Sequence, residues 1–309
     1  MDRRDFFKKS MQAGLMTGAA MAVPGIFGKY FAKSANILPS AIDMVAIRNG
    51  EPDVMFDAAI KAYGGMQAFV KKNQKVLLKP NIGWDVSPER GGNTNPKLVK
   101  RVIEHCFNAG AKEVYVFDHT CDDWRRSYAD SGIEKAVSDA GGKLVPANTE
   151  NYYQQVKFNS GKNMKEAKIH ELILDSDVFI NMPILKNHES TRLSIAMKNM
   201  MGVVWDRGYW HRNDLHQCIA DYSTYNKKPV LNIVDAYYVM KRNGPRGVSV
   251  DDVVTMKSQI ISSDIVAADA AAAKLFGIEP DAVPYIKIAD SMGIGKMNLS
   301  SLNIKRIIL

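Results

Sequence analysis

From residue 42 to residue 277, short apolar runs alternate with segments of helical spacing, and this alternation most narrows the possible folds. IDMVAIRN (42–49), KVLLKP (75–80), EVYVFD (113–118), DVFINMP (177–183), PVLNIVDAY (229–237) and TMKSQIISS (255–263) read as strands. Residues 53–72, 95–110, 127–142 and 264–277 repeat apolar positions at spacings of three and four and read as helices. Gly110, Gly141, Gly142 and Gly277 stand at the expected helix ends, and Asp264 at an N-cap. Strands that take turns with helices need crossover connections, which predicts an α/β fold: a mostly parallel sheet with helices on both faces. The polar stretch 152–170 reads as a small hairpin subregion, and IGWDVSPERGGNTNP (81–95) and GVVWDRGYWHRND (202–214) as inserted loops. Residues 42–309 are expected to form a single α/β domain.

Residues 1–34 stand apart from this pattern. MDRRDFFKKSMQAGLMTGAAMAVPGIFG opens on Arg3 and Arg4, continues through Phe6, Phe7 and Lys8, and then runs weakly hydrophobic until Pro24. It resembles a twin-arginine export signal, with Asp2 where Ser is usual and Phe7 where Leu is usual. The resemblance implies a partner, the twin-arginine export machinery, transport in the folded state, and a periplasmic or exported protein. Left uncleaved, the leader would act as a membrane tether, since residues 11–28 give about 18 positions, the short edge of a span.

Removing the six Lys/Arg and two Asp/Glu of the leader from the formal charge of +8 leaves +4 for the remainder. That balance is mild, and basic residues are not interleaved with aromatics in runs, so a nucleic-acid partner is not expected. Cys106, Cys121 and Cys218 lie far apart with no CxxC, which argues against a thiolate metal cluster and leaves room for one disulfide at most.

In open α/β sheets, ligands bind beyond the carboxyl ends of the strands. Here the strand ends release Lys79-Pro80-Asn81, Asp118-His119-Thr120, Lys186-Asn187-His188 and Asp235. Each has a plainer reading: a solvated lysine, a turn aspartate, a surface histidine. His211 and His216, five positions apart, would face different sides of one helix and do not form a paired-histidine metal motif. His105 and His170 read as structural.

Lys79-Pro80-Asn81, Pro183 to His188, Thr191, Lys198-Asn199, Gly202, His216, Asp235, Gly244-Pro245, Gly247, the run Asp264 to Asp269, and Gly277 together resemble family 362 of the domains of unknown function, from about residue 42 to 300. Some members of that family carry an iron–sulfur module. The absence of CxxC means no iron–sulfur cluster is expected here, and the family name supplies residues rather than a reaction.

The stretch MPILKNHESTRLSIAMKNMMG (182–202) carries the sharpest question. A buried ammonium is costly unless paired, yet Lys186, His188 and Lys198 sit in an otherwise core-like run. A helix starting near Ser190 or Thr191 would align Thr191, Ile195, Lys198 and Asn199 and offer its N-terminal N–H groups to an anion. Lys79, Asn81, Lys186, His188, Lys198, Asn199 and Asp235 are then expected to share one basic cleft that holds an anionic small molecule, with Asp118 and Asp235 as counter-charges. In an enzyme, Lys186 or Lys198 would contact substrate oxyanions and His188 would act as general acid or base. The cofactor is unknown; a divalent metal on His188, His216 and Asp235 is one alternative. A non-catalytic periplasmic ligand-binding or assembly protein is another.

Overall fold

A computed structural model describes residues 42–309; the leader, with Arg3 and Arg4, lies outside the described residues. The main sheet takes β1 (Met44–Arg48), β2 (Lys75–Pro80), β3 (Glu113–Val116), β4 (Lys143–Leu144), β7 (Val178–Met182), β8 (Ile184–His188), β9 (Arg192–Ser194), β10 (Leu231–Met240), β11 (Val253–Ser262) and β12 (Ile304–Ile308). β5 (Tyr153–Lys157) and β6 (Glu166–His170) pair antiparallel in a separate two-stranded sheet, within the stretch expected as a hairpin.

The sheet order is β12-β1-β11-β10-β7-β2-β3-β4, with β8 on β10 and β9 on β8. Pairing is parallel from β10 through β7, β2 and β3 to β4, and antiparallel where β11 meets β1 and β10. The fold is therefore α/β with a mostly parallel sheet. Strand side chains alternate between two apolar layers. Leu77, Phe179 and Val234 join one layer with Ala267 and Ala270 of helix Ile265–Phe276; Val76, Leu78, Val178, Ile180 and Ile233 join the other with Phe56, Leu98 and Val102 from helices Pro52–Ala62 and Pro96–Asn108. Helices thus cover both faces, as near-continuous apolar strands require.

Several expected elements are shorter or different. The helix expected over 53–72 ends at Ala62, because Gly64 and Gly65 both take positive φ. The one expected over 127–142 is split at Gly132 (φ 71) into Trp124–Asp130 and Ile133–Asp139. The helix expected to begin near Thr191 is a strand hairpin instead, β8 turning into β9, and only Ala196–Asn199 is helical. Among the described residues no helix is long and apolar enough to cross a membrane. All three cysteines are free thiols.

β7 and β8 are one bent strand. Both pair with β10 in the same register, Ile180 against Leu231 and Ile184 against Asp235, interrupted at Pro183, whose carbonyl accepts from Asp235 N at 2.8 Å. A bulge then shifts Lys186 opposite Met240. The bend carries Lys186 and His188 past the end of β2, where Lys79 and Asn81 emerge.

Candidate functional site

A cavity of about 340 Å³ opens at this end of the sheet. β2 supplies Lys79 and the residue just after it Asn81, the segment after β3 supplies Asp118, β8 supplies Lys186 and His188, and the short helix supplies Lys198 and Asn199. Seven of the residues singled out in the sequence therefore line one space.

Lys79 is fully buried and spends its three protons inside the protein. Its Nζ pairs with Asp118 Oδ1 at 2.8 Å and donates to Asn199 Oδ1 at 2.7 Å and Pro80 O at 2.9 Å. Asp118 Oδ2 accepts from Ile82 N at 2.7 Å. Burial lowers the Lys79 pKa and the Asp118 charge opposes that shift. Behind the pair runs a relay of amides: Asn199 donates to Asn181 at 2.8 Å, Asn181 to Asn232 at 2.9 Å, and Asn232 to Ser262 O at 3.3 Å. Hydrogen bonding on both sides holds the Asn199 amide orientation, so Lys79 has one defined acceptor.

Gly202 closes over this pair. A Cβ there would stand 1.8 Å from Asp118 Oδ1 and 2.7 Å from Lys79 Nζ, so only glycine permits the approach. Its carbonyl accepts from His119 N at 3.0 Å, tying the segment after β3 to the loop after the short helix.

Lys186 is 2% exposed and donates to Gly92 O at 2.6 Å and Asn81 Oδ1 at 3.2 Å. Burial pulls its pKa down to about 7, with Lys198 and Lys79 adding repulsion. Lys198 is half-buried, and its Nζ meets Met201 Sδ at 2.8 Å, a weak acceptor. Burial brings Lys198 down to about 8, with further repulsion from Arg207 and Lys79. His188 Nδ1 accepts from Ser190 N at 3.1 Å, which leaves the ring proton on Nε2. Burial, and then Lys198 and Lys186, push His188 down to about 3, so it stands in the cavity as a neutral N–H donor.

The remaining sequence-derived residues are placed elsewhere. Asp235 is buried in β10 outside the lining; its Oδ2 accepts from Asn95 N at 2.7 Å and its Oδ1 from Tyr237 N at 3.0 Å. It anchors the end of the 81–95 loop at the N-cap of helix Pro96–Asn108, and burial raises it to about 6. His216 lies outside the lining, stacked on Tyr285 at 6.3 Å. Among the described residues no three His, Cys, Asp or Glu side chains are grouped to hold a metal ion, so the set His188, His216 and Asp235 is not assembled. The helix N-terminus expected to serve an anion is already used: Ala196 N and Met197 N donate to the buried Asp269 carboxylate at 2.6 and 3.1 Å.

His119, His211, Cys121 and Pro245, named in the sequence without an assigned site role, also line the cavity, and sequence reasoning missed Arg207 and Trp84. Arg207 comes from the 202–214 stretch and donates to His119 O and Thr120 O, both at 2.8 Å, and to Cys121 Sγ at 3.4 Å. Trp84 lies 6.0 Å from Lys186 Nζ, and His119 stacks on Trp205 at 5.2 Å. His211, Cys121 and Pro245 form further parts of the wall. The aromatic-and-charged composition of the two loops was the available signal; nothing in it singled out Arg207.

The pattern of the family described as domain of unknown function (DUF362) matches residues 76–274, which hold every lining residue. The chain belongs to the DUF362 family. A thylakoid-associated protein of Synechocystis is 24% identical over 249 residues, 76% of this chain and 73% of its own. The lactate racemase apoprotein of Thermoanaerobacterium thermosaccharolyticum aligns with a TM-score of 0.48 at 9% identity, over 76% of this chain and 57% of that one. A Thermotoga maritima protein aligns at 0.39 and 10% identity, over 72% and 56%. The DUF362 chain thus spans less than two thirds of either solved chain.

Proposed function

We propose that the strand-end cavity of this DUF362 protein binds a small anion bearing a carboxylate or phosphate, and that Lys186 and Lys198 give it acid–base capacity near neutral pH. One observation carries the reading. Among the described residues Asp118 is the one carboxylate in the lining and is already committed to Lys79, while Lys186, Lys198 and Arg207 make no ion pair. Three cations around one cavity repel one another, and an anion is the natural counter-charge. Each charge-assisted bond to it contributes about 1.5–3 kcal/mol. Lysines drawn toward neutrality favour a reaction site over a passive receptor, which has no need of them.

Thermal-shift measurements with phosphate, succinate and citrate test the reading. Wild-type protein should be stabilised by at least one, and Lys186→Met should lose most of that stabilisation while remaining folded. No stabilisation of the wild type by any of the three refutes it.

The leader motivates a second element of the reading, export through the twin-arginine route. Changing Arg3 and Arg4 to Lys should retain the protein in the cytoplasm; unchanged export of that variant rules the route out.

A further inference from the structure

Three lysines reach the cavity, but they are not equivalent. Lys79 is saturated by Asp118, Asn199 and Pro80. Lys186 is held by Gly92 and Asn81 deep in the wall. Lys198 also lines the space but alone of the three is half-buried, and among the described residues its ammonium meets only a thioether. A thioether accepts weakly and does not hold an amine in place. We infer that Lys198 is a nucleophilic amine that forms an imine with the carbonyl carbon of an anionic oxo compound, a 2-oxo acid or a phosphorylated aldehyde.

The inference rests on the anion-binding reading above and adds to it the class of guest and the bond it forms. Arg207 and Lys186 supply charge for the guest's carboxylate or phosphate, and the Nε2–H of His188 supplies a neutral donor for its carbonyl oxygen. The Nζ lone pair adds to the carbonyl carbon, and the C=O π electrons move to oxygen, which takes a proton. The nitrogen gives up its protons, the hydroxyl leaves as water, and C=N forms. Amine and carbonyl become imine and water, with no change of oxidation state. Burial is the main reason the amine is available, and the nearby cations add to it. Burial and repulsion from Arg207 and Lys79 bring Lys198 to about 8, so at pH 7 roughly 200-fold more of it is free amine than for a solvated lysine. Met201 and Trp84 add apolar surface to the lining.

The test uses pyruvate and pyridoxal 5′-phosphate as probes, sodium borohydride to reduce any imine, and peptide mass mapping to locate it. The expected result is one reduced adduct at Lys198, formed at substoichiometric probe and suppressed by added phosphate or succinate. Lys198→Arg has no amine able to form a stable imine at this position and should lose the adduct, with no other lysine labelled in its place. Lys186→Met should keep Lys198 as the labelled residue, with slower labelling. An adduct at Lys186, or labelling spread over surface lysines without enrichment at Lys198, overturns the inference. So does the absence of any adduct when phosphate or succinate still stabilises the protein, and that outcome leaves the anion reading standing. Failure of all anions to stabilise removes the reading beneath it.

Discussion

Removing the Lys79 ammonium isolates a charge. In Lys79→Met the Asp118 carboxylate keeps, among the described residues, only Ile82 N as a donor, at 2.7 Å, and sits 3% exposed with no counter-ion there. Breaking a buried pair in this way costs about 3–5 kcal/mol. Asn199 Oδ1 loses its 2.7 Å donor but keeps Asn81 Nδ2 at 3.1 Å, so the amide contributes little more. Asp118→Asn strands the ammonium instead and should cost a similar amount. The double variant buries two neutral groups and should recover much of the loss, because replacing both partners removes the uncompensated charge. Urea unfolding of the four proteins measures the cycle; a single-variant loss corresponds to a fall in Tm of roughly 6–20 °C for a domain of this size. Single variants each costing under about 1 kcal/mol, or a double variant equal to the sum of the two, would falsify the claim that the pair is desolvated and mutually dependent.

Because burial lowers Lys186 to about 7, the unfolded chain holds a proton between pH 7 and 10 that the folded chain has released. Stability should therefore rise with pH across that window, the penalty being complete below pH 7, where both states are protonated. Lys186→Met should flatten the slope by up to about 1.4 kcal/mol per pH unit, and parallel urea midpoints at pH 7, 8 and 9 in both proteins would contradict this. Gly202→Ala puts a methyl 1.8 Å from Asp118 Oδ1 and should cost about 1–3 kcal/mol while abolishing anion-dependent stabilisation; a fully responsive variant would show that the loop yields. Asp269→Ala strands two buried N–H groups at the helix carrying Lys198, so a loss of about 2–5 kcal/mol is expected, with Asp269→Asn losing less, and equal stability of Asp269→Ala and wild type excludes the capping role.

The alternation of apolar runs and helical segments was enough to specify the layered α/β fold. Periodicity records which face each segment buries, and Val76, Leu77 and Leu78 already divide between two layers. The strand-end rule likewise drew Lys79, Asn81, Asp118, Lys186 and His188 toward one place, because parallel strands release their carboxyl ends on the same side. Asp235 escaped that logic: it stands at a bulge within β10, and its two backbone partners, not its position along the strand, make it an anchor. Tertiary structure alone separated the three lysines. An ammonium's charge and reactivity depend on what lies within about 3–4 Å of it, and those neighbours come from 120 positions away for Lys79 and Asn199, and 94 for Lys186 and Gly92. Local sequence carries no record of that distance, so the chain announced where its lysines gather, while packing decided which are locked and which is left free.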